Sequence, residues 1–241
     1  FSDGAALAVK NFAPDHIVAL PLYPQFSTTT TASSFNDWDR AARKAGLTQP
    51  TARICCYPDE AGFIAAAAAS IRKELKEARP GLPYRLLLSA HGLPKKVVAG
   101  GDPYQWQVEQ SAAAIVAKLG IPDLDWSICY QSRVGPVAWI GPSTESEITR
   151  AGRDGVPVIL APVAFVSEHV ETLVELDETM RELAAETGVP LYIRLPTVRT
   201  EPRFIAALAG LAEFLKGKAT PCSASGKRIC PAKFSRCPMP S

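Results

Sequence analysis

The sequence predicts an α/β protein with parallel, doubly wound sheets. Three observations carry that expectation. Short β-prone apolar runs alternate with amphipathic helical patterns, as crossover-linked parallel strands require. The strand at 84–90 (YRLLLSA) is nearly continuous in its apolar character, which suits burial on both sheet faces. With 241 residues, 47% of them hydrophobic and 21% charged, the chain can bury one large core or two smaller ones.

Residues 1–16 read as a loosely helical lead-in, followed by a strand at 16–22 (HIVALPL) and a hydroxyl-rich loop at 23–34 (YPQFSTTTTASS). Ser33 or Ser34 is the expected N-cap of a helix running to Ala45. A strand follows at 52–57, then an Ala-, Lys- and Glu-rich helix at 59–78 closed by Pro80 and Gly81. The alternation restarts with the strand at 84–90, the loop HGLPKKVVAGGDP, and a helix at 104–119 stopped by Gly120. A strand at 124–130, a Gly/Pro-rich loop at 131–143, a short helix at 144–151 and a strand at 158–166 come next. Then come a helix at 168–187 capped by Ser167, a strand at 189–194 and an amphipathic helix at 201–215. The break at 80–83 is the expected domain boundary, and from 217 onward the pattern dissolves into a polar, basic tail.

Several functions are excluded at this level. A net charge of +2 implies no general affinity for nucleic acid. The longest apolar runs are too short to cross a bilayer, and without a visible signal peptide the default location is cytoplasmic. No Walker loop, G-x-G-x-x-G or G-x-S-x-G occurs. What remains is a set of loops at the carboxyl ends of strands, where a doubly wound sheet builds its site. They carry Tyr23, Ser27 and Thr28; His91; Arg133 and Trp139; and His169, Glu171 and Glu175. His91 with Glu171 suits either a ligand pair for Fe²⁺, Co²⁺ or Zn²⁺ or a base with its proton acceptor. Val170, Leu173, Val174 and Met180 form the expected apolar stripe of the 168–187 helix, with Glu168, Glu171, Glu175 and Glu178 stacked on its opposite face. Four carboxylates in a row repel, and a cation or a moving proton would offset that.

The segments LPLYPQFSTTTTAS, SAHGLP with GDPY, CYQSRVGPVAWIGPST, and APVAFVSEHVETLVELD closely resemble the signature blocks of the ferrochelatase family, in order and at the family's spacing. The resemblance covers residues 18–215 and includes LPTVRTEPRFIAALA. It implies two Rossmann-like, chelatase-type domains, the first incomplete: 1–80, with the helix at 201–216 packing back on it, and 81–200, followed by a Cys-containing tail at 217–241. It also implies insertion of Fe²⁺ into protoporphyrin IX to give protohaem, with Fe²⁺ and the porphyrin as substrates. The family's essential histidine falls on His91 and its acidic row on Glu171 and Glu175. Tyr23 and Trp139 would belong to the porphyrin walls, and Ser27, Thr28 and Arg133 would make polar contacts. The alternatives are a cobalt or nickel chelatase of another tetrapyrrole pathway and a non-catalytic porphyrin- or haem-binding fragment.

Cys222, Cys230 and Cys237, spaced C-x₇-C-x₆-C, do not have zinc-finger spacing. They read either as free thiols on a mobile tail or, by resemblance to family members with three C-terminal cysteines, as ligands of a [2Fe–2S] cluster. The internal ligand of such clusters maps near Thr28, so Cys55, Cys56 or Cys129 would supply the fourth sulfur. Lys216, Lys218, Lys227, Arg228, Lys233 and Arg236, with no acid after Glu213, suit peripheral contact with an anionic inner-membrane surface. Family members also carry an N-terminal βα portion and an apolar lip that do not precede Phe1. The 241-residue chain alone is therefore expected to fold poorly or bind porphyrin weakly. A circular dichroism melt and a porphyrin titration check this, and native-like stability with tight binding would overturn it.

Overall fold

The computed structural model describes residues 2–77, 83–218 and 221–240. The boundary expected at 80–83 lies, but for Pro83, outside them. Helix α1 (Ser2–Phe12) leads into β1 (Ile17–Ala19), α2 (Thr31–Ala45), β2 (Thr51–Arg53) and α3 (Ala61–Glu77). After these come β3 (Arg85–His91), α4 (Lys95–Ala99), α5 (Tyr104–Leu119), β4 (Trp126–Gln131), α6 (Thr144–Asp154) and β5 (Val158–Pro162). A π-helical segment (Glu171–Thr179), α7 (Met180–Glu186), β6 (Tyr192–Arg194) and α8 (Pro202–Leu215) complete the order.

All strand pairs in the two sheets are parallel. β1 and β2 form a two-stranded sheet, and the larger sheet has the order β4-β3-β5-β6. β3 is central and buried, with alternate residues facing opposite sides. Leu86 and Leu88 join the core shared with α3, α5 and α8, whereas Leu87 packs with Ile148 and Met180 beneath α6 and α7. The first of these cores also takes in the end of β2 and the residues beyond it, and Phe63 of α3 meets Phe204 of α8 at 6.0 Å.

Several elements depart from the sequence reading. β1 and β2 are short: Pro21 has no N–H for a ladder, and the Cys55 N–H leaves β1 to bond the Cys222 carbonyl (2.8 Å). α2 begins at Thr31 with no side-chain cap, and the Ser33 hydroxyl instead donates to the Thr29 and Thr30 carbonyls. The loop after β3 contains the one-turn helix α4. β5 ends at Pro162 rather than at 166.

Ser167 caps nothing. The helical winding starts past it, where the His169 ring Nδ1 accepts the Glu171 N–H (3.1 Å) and Thr172 Oγ1 accepts the His169 N–H (2.9 Å). The first stretch then winds with i→i+5 bonds, such as Met180 N–H to the Glu175 carbonyl. Of the expected stripe only Met180 stays in the core. Thr172, Leu176 and Met180 are buried, while Val170, Leu173 and Val174 are exposed.

The tail does not dissolve. Cys222 pairs with β2 on the edge away from β1, its N–H donating to the Arg53 carbonyl (3.1 Å), and Ala224 N–H reaches the Cys56 carbonyl (3.0 Å). Arg228 turns inward onto the carbonyls of Cys230, Pro231, Phe234 and Met239. All three tail cysteines are buried.

Glu168 leaves the acidic row as well. With Asp177 it flanks the guanidinium of Arg194, whose side chain is 6% exposed. Hydrogen bonding and charge from Arg194 hold the Asp177 carboxyl below its ordinary value against the opposing effect of burial. Burial opposes ionisation of Glu168 too, but hydrogen bonds from Thr172, the Thr197 N–H and Arg194 outweigh it. Arg194→Leu would strand two partly buried carboxylates, and we expect a loss of about 3–5 kcal/mol at pH 7. Both carboxyls titrate lower folded than unfolded, so their stabilisation is fully present above the ordinary carboxyl range, near about 4. It is lost as pH falls through the lower folded values. Urea unfolding between pH 7 and 3 should show the wild-type and variant stabilities converging at the acid end.

Candidate active site

A cavity of about 730 Å³ opens at the carboxyl ends of β1, β3 and β5. That is within the roughly 300–1,000 Å³ usual for small-molecule sites. β3 delivers His91 as its last residue. The ring Nδ1 lies 2.6 Å from the Gly92 carbonyl, which can only accept, so Nδ1 carries a proton and the neutral ring has its lone pair on Nε2. Nε2 faces Glu171 Oε2 at 3.5 Å, and that oxygen is buried without a hydrogen-bond partner. Two acceptor atoms facing each other call for a proton or a metal ion between them.

The walls are largely apolar. Leu22 and Tyr23 come from the loop after β1, and Phe165, Val166 and Val170 from the chain beyond β5. Phe165 stands edge-on to His91 (6.2 Å) and to His169 (4.4 Å). Trp139 is held by a short antiparallel ladder, in which Lys95 N–H donates to the Ala138 carbonyl and Ile140 N–H to the Leu93 carbonyl. Gly92 is required beneath it, because a Cβ there would lie 2.8 Å from the Gln131 carbonyl and 3.2 Å from the indole. The Trp139 Nε1 has no partner.

Of the residues singled out from sequence, His91, His169, Glu171, Tyr23, Ser27 and Trp139 line the cavity. Thr28 and Arg133 do not. The Thr28 hydroxyl and N–H both donate to the buried Asp102 carboxylate, at 2.6 and 2.7 Å, and the Arg133 side chain is exposed to solvent. Glu175 stands behind Glu171 in a clamp. Ser132 donates its N–H (2.6 Å) to one carboxylate oxygen and its hydroxyl (2.5 Å) to the other, from a left-handed backbone at φ 59. Gln131 Nε2 donates to the Glu171 carbonyl (2.9 Å) and lies 3.4 Å from the Glu175 carboxylate. Glu178 is exposed.

Sequence reasoning missed Phe165, Gln131, Ser132 and Asp102. Asp102 sat in a quoted block, but nothing in the sequence says that it faces Ser27 and Thr28. Ser132 sat in a quoted block too, but its left-handed backbone is invisible in composition.

The cysteines fall into two groups. Cys129 lies in the core beneath α6, where burial pushes its thiol up to about 12. Cys55, Cys56, Cys222, Cys230 and Cys237 share the other core, with Cys55 and Cys56 Sγ 3.4 Å apart. A hydrogen bond from Cys230 holds the Cys237 thiol below its ordinary value. Among the described residues no three His, Cys, Asp or Glu side chains converge as ligands of a metal ion, and no helix is long and apolar enough to cross a membrane.

Comparison with known proteins gives the family. A family model described as Ferrochelatase matches residues 2–214. The chain is 52% identical over 239 residues to the ferrochelatase of Caulobacter vibrioides, covering 98% of this chain and 67% of that one. It is 50% identical over 235 residues to the ferrochelatase of Phenylobacterium zucineum, covering 96% and 66%. The chain thus spans about two-thirds of the length of these relatives. Among solved structures, SirB from Bacillus subtilis with Fe³⁺ superposes with a TM-score of 0.62 at 14% identity, over 89% of this chain and 77% of that one, a likeness of fold. With its parallel chelatase-like architecture and a family match running almost end to end, the chain belongs to the ferrochelatase family, lyases that insert ferrous iron into protoporphyrin.

Proposed function

We propose that the cavity binds protoporphyrin IX and that His91 and Glu171 carry the insertion of Fe²⁺, yielding protohaem and two protons. The observation that supports this reading is the pair of unshared acceptors, His91 Nε2 and Glu171 Oε2, facing one another in an apolar pocket. Insertion replaces two pyrrole N–H protons by the metal, so the pocket needs a base at the ring. His91 is suited to it, because its Nδ1–H bond to the Gly92 carbonyl leaves Nε2 free to accept. Glu171, next to it, can pass that proton on or hold the incoming iron. Glu175, fixed by Ser132, is the next carboxylate away from the pocket. Tyr23, Trp139 and Phe165 offer faces and edges to a flat macrocycle, Thr29 offers a hydroxyl, and Arg133 stands outside as a cation for a propionate at the rim, whereas the Ser27 hydroxyl, like that of Thr28, is spent on Asp102. The cobalt or nickel chelatase alternative rests on shared fold alone.

The [2Fe–2S] reading is a second proposal. The donor set fits in kind but not in placement: five buried thiols belong to one core and thiolates are what such clusters take, yet among the described residues no three of them converge. Cys222, Cys230 and Cys237 would be joined by Cys55 or Cys56. Thr28 is committed to Asp102, and Cys129 lies on the far side of the larger sheet. Peripheral membrane contact would fall to Lys227, Lys233 and Arg236, the exposed cations of the tail.

Anaerobic assay with Fe²⁺ and protoporphyrin tests the first proposal. We expect His91→Ala to lower turnover by roughly 10²–10⁴, as loss of a general base does. Glu171→Gln, which keeps the shape but not the charge, should behave similarly. Ser132→Ala should cost about tenfold, the lower end for a lost hydrogen bond to a charge. Turnover indifferent to His91 would overturn the assignment. Visible absorption and iron and sulfide analysis test the cluster: it should survive Cys129→Ser and be lost in Cys237→Ser. Protein lacking iron and sulfide after anaerobic purification would overturn it.

A further inference from the structure

Gln107 lies on the buried stripe of α5 and is 0% exposed. A primary amide in that position must find partners for both its ends. Its Oε1 accepts the backbone N–H of Phe26 at 2.7 Å, and its Nε2 donates to Cys230 Sγ at 3.1 Å. The polarity is fixed, because the Phe26 N–H can only donate and a flipped amide would set donor against donor. The Cys230 sulfur must therefore accept. Phe26 sits between Gln25 and Ser27, two residues that line the cavity. Gln107 thus ties a wall of the pocket to a sulfur of the tail.

A second connection runs beside the first. The Arg236 N–H donates to the Gly101 carbonyl (3.1 Å), and Gly101 has φ +94 with Ser235 Oγ only 2.4 Å from where a Cβ would stand. The next residue, Asp102, is 0% exposed and accepts from the Ser27 hydroxyl (3.0 Å) as well as from Thr28. Phe234 packs on Trp106 at 5.9 Å between these two links. Tail residues 230–236 therefore grip the start of α5, and the start of α5 holds the loop after β1.

We propose that Gln107 is a positioning residue through which the acceptor sulfur of Cys230 sets the affinity of the pocket for the porphyrin macrocycle. This rests on the porphyrin reading of the cavity. It makes the tail and the pocket two distinct, coupled sites, so whatever occupies the Cys230 sulfur as an acceptor is felt at Gln25–Ser27.

The test is a double-mutant cycle on the 241-residue chain, with protoporphyrin IX titrated by quenching of tryptophan fluorescence. Gln107→Met removes both hydrogen bonds at similar volume, Cys230→Ala removes the acceptor, and Cys230→Ser removes the thiol but keeps an acceptor. We expect Gln107→Met and Cys230→Ala each to weaken binding about tenfold, within the range typical of coupled sites. The double variant should be no weaker than either single one, and, with all proteins stripped of iron and sulfide, Cys230→Ser should lose several-fold less affinity than Cys230→Ala. A role confined to packing or to metal ligation would not separate serine from alanine in this way. Additive losses, or Cys230→Ala binding as the wild type does, would overturn the inference. If Cys230→Ala does not fold, Gln107→Met against Cys230→Ser decides, and equal affinity in both overturns it. A wild-type chain that is folded by circular dichroism yet binds no porphyrin at all would overturn the pocket reading itself, whereas binding that ignores Gln107 and Cys230 overturns this inference alone.

Discussion

The register of β3 against β4 is the constraint on which the site depends. The two strands run parallel, with Leu86 opposite Trp126 and His91 opposite Gln131, so their last residues arrive together at one edge of the sheet. β5 runs the same way on the other side of β3 and releases its chain toward Phe165, His169 and Glu171 at that edge. A base, an amide and a carboxylate distant in sequence meet because three strands share a direction. A slip of one residue in this register would turn His91 to the other face of the sheet and bring Leu87 out of its core. The apolar burial of β3 on both sides makes that slip costly, so the packing that stabilises the sheet also aims the base.

Charge in the acidic stretch is divided by geometry rather than by spacing. Glu168 and Asp177 are absorbed by Arg194, and Glu178 faces solvent. Glu171 and Glu175 remain, one open to the cavity and one held by Ser132. A π-helical winding accompanies this division: Val170, just before it, lines the cavity, and Leu173 and Val174 within it lie outside the core. A winding of this kind is uncommon and tends to occur at functional sites.

Much of this was legible beforehand, for physical reasons. The strand at 84–90 announces itself because a strand buried on both faces has no polar alternation to hide in, and the loops after it could be ranked because parallel sheets gather such loops. His91, Glu171, Tyr23 and Trp139 followed from that. The misreadings share one cause, which is that contacts distant in sequence override local pattern. Ser167 looks like a cap, but His169 and Thr172 satisfy the first N–H groups. Thr28 looks like a pocket hydroxyl, but Asp102 takes it. The residues after 217 look disordered by composition, yet Arg228 turns onto four carbonyls of the segment and Phe234 finds Trp106. None of those partners can be read from neighbouring residues.

The pairing of Cys222 with β2 has a consequence beyond the sulfur it places. β2 has β1 on one side only, and its other side would expose the Arg53 carbonyl and the Cys55 N–H in strand geometry. A bare edge of that kind is a template for another chain to add to. The tail occupies those groups and continues to the Cys56 carbonyl through Ala224. Residues that read as a loose end are thus the selvedge of the smaller sheet, the bound border that keeps one molecule from being woven into the next.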